Sequence, residues 1–317
     1  MVGESCRQIE GFFWVLRYFI YISVFGFLAW AIYFGLVLAL GWLGPSAYEV
    51  DNVTGQQFLV TQAGTIRFQT KSTAGQRRTF VLLHGFNGSL NSWAALWSLI
   101  DDCGQMVRLD LPGFGQSHWQ DEDYSLDQQS QHLIQFIDAL GLDAVTLVGT
   151  SMGASLAAWT AARYSERVEG LILMAPSGYP QSMSLGGFEK LFYQNRFANG
   201  LARYIVKTQP YHYLFPNSRL FQALTVTRSY NLDWVAALTQ INQPTWVVWS
   251  STDRRVPFKY GELITGLVAS GQMVVASDRA GHDIPGLDPG IIAKMICNLK
   301  NNGTGDYDTA QKIKLPN

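Results

Sequence analysis

The apolar residues of this 317-residue chain fall into short continuous runs separated by stretches of helical periodicity. Such runs occupy residues 79–83, 145–148, 171–174, 245–249 and 273–276. Residues 106–110 read as a further strand, and two other segments, 57–61 and 64–69, read as a hairpin joined at Ala63-Gly64. Continuous apolar strands that alternate with helices indicate a parallel sheet covered on both faces. We therefore predict an α/β fold with a mostly parallel, eight-stranded sheet flanked by helices.

The N-terminal region has a different pattern. No charged residue occurs from Tyr18 to Tyr48, and residues 18–43 are almost wholly apolar. About 20 such residues span a bilayer, whereas the apolar part of a cleavable signal peptide is about 7–15 residues long. We predict a short N-terminal segment, residues 1–17, followed by an uncleaved transmembrane helix over 18–43. A buried core helix or a monotopic insertion is the alternative.

The basic residues around this helix predict its orientation. Arg7 and Arg17 precede the apolar segment, and the next basic residue is Arg67. Because basic residues favour the cytoplasmic side of a membrane, we expect the rest of the chain on the non-cytoplasmic side.

The alternation of strands and helices stops between residues 178 and 242. This stretch is rich in Phe and Tyr, mostly helical in pattern, and too long for a simple connection. We interpret it as a helical cap inserted over the active site of a catalytic domain at 50–299. A structural insertion remote from the site is the alternative. The Gly/Asn-rich residues 300–317 form a polar tail that we expect to be disordered.

Composition narrows the function classes. A net charge of −1 gives no electrostatic case for a nucleic-acid partner. Cys6, Cys103 and Cys297 lie far apart without metal-ligand spacing, and their odd number predicts no disulfide framework. We expect free or buried thiols, no metal and no organic cofactor.

The main chemical motif is Gly149-Thr150-Ser151-Met152-Gly153, which lies between a strand-like run and a helix rich in small residues. This G-x-S-x-G pattern is typical of a sharp turn that exposes a nucleophilic serine, with glycines where side chains would collide. The alternative is an ordinary turn with an idle serine.

With its other landmarks, the chain resembles the α/β-hydrolase fold family from about residue 56 to residue 299. The landmarks are His84-Gly85-Phe86, residues 110–117 (Asp-Leu-Pro-Gly-Phe-Gly-Gln-Ser), the Ser151 motif, Asp253 and Gly281-His282. Within the family it looks most like membrane-anchored monoacylglycerol lipases and esterases. The resemblance implies an α/β-hydrolase fold, and a serine hydrolase that acts through an acyl-enzyme.

In this family the nucleophile, the acid and the base follow one another along the chain. Of the five histidines, only His282 follows the last strand, and we predict it as the base. His84 is expected to form hydrogen bonds under the loop that shapes the oxyanion hole. His118 and His132 precede the serine, on a loop and on a predicted surface helix, and His212 lies in the cap.

Asp253 is the predicted acid, since it lies shortly before Pro257 in a loop that resembles the family's acid loop. One departure is Ser250, which stands where the family usually has glycine. Asp278 and Asp283 are rivals by proximity, and a solvated loop aspartate is the alternative for Asp253.

The resemblance implies that the backbone amides of Phe86 and Met152 form the oxyanion hole. The predicted substrate is a carboxylic ester, of lipid or acylglycerol type. The same residues also serve carbon–carbon bond hydrolases, perhydrolases and acyltransferases. A non-catalytic, membrane-tethered binding protein for a small hydrophobic ligand is the remaining alternative.

Overall fold

The computed structural model describes residues 2–43, 51–61, 64–72, 78–119, 123–179, 195–215, 222, 224–226, 229–230 and 232–301. Most of the tail predicted to be disordered, residues 302–317, lies outside these ranges, and so does the hairpin connection at 62–63. Lys300 and Asn301 belong to the last helix.

Nine strands form one sheet, in the order β1-β2-β4-β3-β6-β7-β8-β9, with β5 paired to β2. They are β1 Gln57–Thr61, β2 Gly64–Lys71, β3 Thr79–Leu83, β4 Gln105–Leu109, β5 His118–Trp119, β6 Val145–Thr150, β7 Val168–Met174, β8 Thr245–Ser250 and β9 Gly271–Ala276. The pairs β1–β2, β2–β4 and β2–β5 are antiparallel, and the remaining pairs are parallel. The eight predicted strands are confirmed. The two-residue β5 is too short for a periodic pattern to reveal.

The helices flank the sheet and form the cap. They are α1 Val2–Leu43, α2 Ala94–Trp97, α3 Leu126–Ala139, α4 Met152–Arg163, α5 Arg196–Val206, α6 Gln209–Leu214, α7 Leu232–Leu238, α8 Lys259–Leu267, α9 Ile284–Leu287 and α10 Pro289–Asn301. Short 3-10 helices occupy Leu90–Trp93 and Ser165–Arg167. Helices α5, α6 and α7 lie within the stretch that we interpret as the cap.

Helix α1 runs without interruption for 42 residues, which is about 63 Å of helix. Its segment Ile20–Trp42 has a mean hydropathy of 2.2 and is long enough to cross a membrane. Most of the side chains in this segment are exposed to the surroundings of the protein. The exception is its C-terminal third, where Val37 and Leu40 are buried.

The described residues form two separate hydrophobic clusters, and the smaller one explains why Val37 and Leu40 are buried. The larger cluster lies on both faces of the sheet and includes Trp234 of α7, whose indole nitrogen donates to the Ser155 carbonyl of α4 at 3.1 Å. The smaller cluster joins α1 to the cap helices α5 and α6 and consists of Val37, Leu40, Ala202, Ile205, Val206, Tyr211 and Leu224. Tyr33 adds a hydrogen bond from its hydroxyl to Oγ1 of Thr208, at 2.7 Å. The stretch that we interpret as the cap is thus packed against both the sheet domain and the apolar N-terminal helix.

The cysteine prediction is wrong for two of the three residues. Cys103, just before β4, forms a disulfide with Cys297 of α10, 194 residues along the chain. An odd number of widely spaced cysteines hides such a pair, because only the packing of α10 beside the α2–β4 connection brings the two Cα atoms to 4.4 Å. The disulfide joins the last helix to the first half of the sheet.

We predict that replacing both Cys103 and Cys297 with alanine lowers the free energy of unfolding by about 2–5 kcal/mol, because the bridge closes a very long loop. Thermal unfolding of the detergent-solubilised protein, with and without reductant, measures the change. The matched control is Cys6→Ala, which should leave the midpoint unchanged. Equal midpoints for the double variant and the unreduced parent would contradict the prediction.

Candidate active site

The turn between β6 and α4 carries Ser151. Its φ and ψ of 51° and −113° are rarely adopted by a residue with a side chain. A Cβ added at Gly149 would lie 2.4 Å from the Gly153 carbonyl oxygen, and one at Gly153 would lie 2.1 Å from the Leu83 carbonyl oxygen. Both glycines are therefore required by close backbone approach, as the motif predicts.

Residues with positive φ cluster along the edge of the sheet that is formed by the carboxyl ends of the parallel strands. Among the described residues, three that are not glycine have positive φ: Asn87, Ser151 and Ala175. They follow the carboxyl ends of β3, β6 and β7, which are neighbours in the sheet. Backbone strain of this kind concentrates at ligand and catalytic sites, and open α/β sheets place their sites at this edge.

Three side chains from separate loops form one chain of hydrogen bonds at this edge. Nε2 of His282 lies 3.0 Å from Oγ of Ser151, and Nδ1 of His282 lies 2.7 Å from Oδ2 of Asp253. Because the ionised carboxylate can only accept, the proton of the neutral imidazole is on Nδ1. Nε2 then has a free lone pair directed at the serine hydroxyl. The structure thus brings together the three residues that the sequence singled out.

The Asp253 side chain is held at its other oxygen by the backbone. Oδ1 accepts from the amides of Arg255 at 2.8 Å and Val256 at 3.0 Å. The indole nitrogen of Trp249, on β8, donates to the Val256 carbonyl at 2.9 Å and closes the loop. The carboxylate is fully buried, so these donors replace the water that an ionised group would otherwise need.

Ser250, the departure from the family pattern, links the acid loop to the loop of His282. Its hydroxyl donates to the Ser277 carbonyl at 3.0 Å, and Oγ1 of Thr252 donates to the Asp278 carbonyl at 2.6 Å. Gly281, with φ of 51°, then turns the chain so that His282 points back at Asp253. A serine is thus accommodated at position 250 through a bond that glycine could not form.

The rival acids have other partners. Asp283 caps α9 by accepting from the Gly286 amide, and Asp278 accepts from the Ser251 hydroxyl. Among the described residues, no cluster of three or more His, Cys, Asp or Glu is arranged to hold a metal ion.

The other histidines are not at the site. His118 is exposed and belongs to β5, where a loop was expected, because residues 118–119 pair with β2. His132 lies on the helix that was expected at the surface, but an exposed position for its side chain is wrong. The side chain is buried within α3, because the face that carries Leu133, Phe136 and Ile137 is broad enough to include it. His212 lies in α6 of the cap.

His84 forms the hydrogen bonds expected under its loop. Nε2 accepts from the Leu111 amide at 2.9 Å, so Nδ1 carries the proton and donates to the Gly85 carbonyl at 2.7 Å. The imidazole is completely buried, and this burial lowers its pKa, although Asp110 acts in the opposite direction. Neutral His84 therefore joins the loop after β3 to the loop after β4.

The two residues expected to supply oxyanion donors flank Ser151. Met152 is buried in the first turn of α4, where helix amides have no partner within the helix. Phe86 follows Gly85, where an added Cβ would lie 3.4 Å from the Ser151 Cβ. The Phe86 ring packs edge-on against Phe114, with centroids 5.4 Å apart.

Sequence reasoning missed a group of hydroxyls behind the serine. The Ser155 hydroxyl, in the first turns of α4, donates to the Ser151 carbonyl at 3.2 Å. The Ser177 amide donates to the same carbonyl at 3.4 Å, and the Ser177 hydroxyl donates to the Tyr230 oxygen at 2.9 Å. Burial raises the pKa of Tyr230 to about 12, so it is neutral. No motif marks Tyr230, which is one of many aromatic residues in the cap.

We predict that His84 makes the fold sensitive to acid. Its folded-state pKa is below the unfolded value, so protons bind the unfolded chain more tightly and stability falls as the pH drops below about 6.5. The loss reaches at most about 1.4 kcal/mol per pH unit. Denaturant unfolding at pH 7.5 and 5.5 should show a smaller loss for His84→Gln, which retains a donor and an acceptor but does not titrate. The same pH dependence in both proteins would contradict the prediction.

Comparison with known proteins agrees with this architecture. Monoacylglycerol lipase abhd6-A of Xenopus laevis is 24% identical over 280 residues, which cover 77% of this chain and 82% of the lipase. A dihydrolipoyllysine-residue acetyltransferase component of the acetoin cleaving system, from Cupriavidus necator, is 32% identical over 140 residues, which cover 44% of this chain but only 37% of that protein. The solved structure of a putative lipase from Acinetobacter baumannii superposes with a TM-score of 0.60 at 18% identity, over 77% of this chain and 91% of the lipase, which supports the fold alone. The sequence profile for the alpha/beta hydrolase fold matches residues 78–237, and the chain belongs to this family.

Proposed function

We propose that the protein is a serine hydrolase that cleaves carboxylic esters of lipid or acylglycerol type through an acyl-enzyme on Ser151. The observation that carries the proposal is the pair of distances at His282, 3.0 Å to the Ser151 hydroxyl and 2.7 Å to the Asp253 carboxylate. A serine hydroxyl needs such a base to attack a carbonyl, and the base needs an acid to hold its tautomer.

In the proposed reaction, Ser151 Oγ attacks the ester carbonyl as Nε2 of His282 takes the hydroxyl proton. The resulting imidazolium is stabilised by Asp253, whose second oxygen is already held by two amides. His282 then donates the proton to the departing alcohol, which leaves the acyl group on Ser151. A water molecule, deprotonated by His282, releases the acid and restores the serine.

The oxyanion of each tetrahedral intermediate would be bound by the amides of Met152 and Phe86. Met152 lies at the N-terminus of α4, so the helix dipole also favours negative charge there. His84 positions the second donor, because its bond to the Gly85 carbonyl fixes the peptide just before Phe86. Removing one such donor typically costs about 10²–10³ in rate.

Two features favour a lipid ester over a small soluble one. The apolar segment Ile20–Trp42 would hold the site beside a bilayer, where acylglycerols reside. A monoacylglycerol lipase is one of the relatives that align over most of both chains. We propose that the part of the aromatic cap next to the site, which includes Tyr230, binds the acyl chain.

We further propose that the catalytic domain lies on the non-cytoplasmic side of the membrane. Arg7 and Arg17 precede the apolar segment, and basic residues favour the cytoplasm. The Cys103–Cys297 disulfide is independent support, because disulfides persist in oxidising compartments.

We predict that a membrane-impermeant maleimide labels Cys6 only after the cells are permeabilised, since Cys6 precedes the membrane segment. Cys6→Ser is the control for specific labelling. Labelling of Cys6 in intact cells would overturn this orientation.

We predict that the purified protein reacts with a fluorophosphonate probe and hydrolyses monoacylglycerols, and that Ser151→Ala abolishes both. His282→Ala and Asp253→Asn should retain the fold but hydrolyse esters at least about 10³ times more slowly, because the nucleophile loses its base or the base loses its tautomer. Ser155→Ala is the matched control, since this nearby hydroxyl donates to the Ser151 carbonyl and is expected to have no role in the chemistry.

The substrates in the assay separate the proposal from its alternatives. A panel of acylglycerols and p-nitrophenyl esters of graded chain length measures ester hydrolysis, and added acyl acceptors detect acyl transfer. Probe labelling that persists in Ser151→Ala would refute the nucleophile. Labelling without ester turnover would point to another reaction of the same residues, and an unlabelled parent protein would indicate a binding function.

A further inference from the structure

Helix α5 has two apolar faces, and within the part of the chain that the structure describes only one of them is covered. Ala202, Ile205 and Val206 pack against α1 in the smaller hydrophobic cluster. On a second face, Phe197, Leu201 and Tyr204 are 82%, 41% and 72% exposed. Their spacing of four and three residues places them in one row along the helix. This row is called the α5 stripe below.

The position of α5 along α1 places the α5 stripe near the surface of a membrane. The charge-free segment begins at Tyr18, and a hydrocarbon core of about 30 Å accommodates about 20 helical residues. A core of this thickness that begins at Tyr18, directly after Arg17, ends beside Val37 and Leu38, and the last residues of the apolar segment then lie at the far surface of the membrane. Val37 and Leu40 are the residues that α5 and α6 cover, so the cap meets α1 at the boundary between lipid and water.

The charges of α5 fit the same location. Arg196, Arg203 and Lys207 lie in or directly after the helix, and residues 195–208 include no acidic residue. Helices that lie in the plane of a membrane combine aromatic and leucine side chains on one face with Lys and Arg elsewhere, and tyrosine favours the headgroup region. Trp42, another aromatic residue at this end of the segment, is also exposed.

We propose that the α5 stripe is a second membrane contact, in which Phe197, Leu201 and Tyr204 lie among the lipid headgroups while α1 spans the bilayer. The partner is the bilayer itself, because the stripe is apolar, basic residues lie elsewhere on α5, and α5 packs on α1 at the proposed boundary between lipid and water. The cap would then be held against the membrane, and a lipid ester could pass to the site without crossing water. This inference rests on the membrane placement in the proposed function.

Site-directed spin labelling of the full chain tests the proposal. Three variants on a Cys6→Ser background carry one nitroxide each, at Leu201→Cys in the stripe, Leu28→Cys in the middle of the apolar segment, and Ala144→Cys. Ala144 is the matched control, because it is exposed and precedes β6, at the opposite end of the sheet from the site. The proteins are reconstituted in vesicles of phosphatidylcholine and phosphatidylglycerol.

The expected result is that the label at 201, like that at 28, collides with dissolved oxygen more than with a water-soluble nickel chelate, whereas the label at 144 shows the reverse. A label at 201 as accessible to the chelate as that at 144 would overturn the proposal. Shielding of 201 from both reagents that increases with the protein-to-lipid ratio would also overturn it, and would indicate a second copy of the chain. If the label at 28 is accessible to the chelate, the membrane placement and the proposal both fail.

A second measurement uses the combined variant Phe197→Ser, Leu201→Ser and Tyr204→Ser, whose changes are confined to exposed positions. Turnover of a monoacylglycerol embedded in vesicles should fall roughly tenfold, since three apolar side chains no longer hold the cap at the surface. Turnover of soluble p-nitrophenyl acetate should not change. Equal losses on both substrates would contradict the proposal. Absence of turnover in the parent would refute the proposed function, while the label positions would still test the membrane contact.

Discussion

The turn at Ser151 is the constraint on which the rest of the site depends. A backbone with positive φ at a serine is held in place because Gly153 lies directly against the Leu83 carbonyl. This contact fixes the start of α4 relative to the end of β3, so the serine and the loop that carries Phe86 cannot move independently. The bond from the Ser151 amide to the Met174 carbonyl, 2.8 Å long, fixes the turn against β7 on the other side. Backbone strain of about 1–3 kcal/mol at this serine is offset by the packing of the two adjacent strands.

The remaining parts of the site are held by hydrogen bonds that satisfy buried polar groups. His84 fixes the loop after β3, the amides of Arg255 and Val256 fix Asp253, and Ser250 joins the acid loop to the loop of His282. Burying any of these polar groups without its hydrogen-bond partner would cost folding free energy. Because the partners are mostly backbone groups, the side chains are oriented before any substrate arrives. Such preorganisation accounts for much of the electrostatic contribution to catalysis in enzymes.

The sequence predicted the parts of the molecule that depend on local rules. Continuous apolar runs located most of the eight main strands, because a strand buried on both faces has no polar alternation. The glycines beside Ser151 were informative because close backbone approach tolerates no other residue. The disulfide, the burial of His132 and the bond between Ser177 and Tyr230 depend on which segments meet in space. No local pattern encodes those meetings, since each joins residues from elements distant in the chain.

The smaller hydrophobic cluster changes how the N-terminal helix is understood. A simple tether would be separated from the catalytic domain by a linker, and its contacts would be with lipid alone. Here Val37 and Leu40 complete a core that α5 and α6 cannot form by themselves, and Tyr33 bonds to the connection between those two helices. The same stretch also reaches the Ser151 turn, because the Ser177 hydroxyl bonds to Tyr230 and the Ser177 amide bonds to the Ser151 carbonyl. The apolar helix and the Ser151 turn therefore both contact the stretch that we interpret as the cap, the helix through the smaller cluster and the turn through Ser177 and Tyr230.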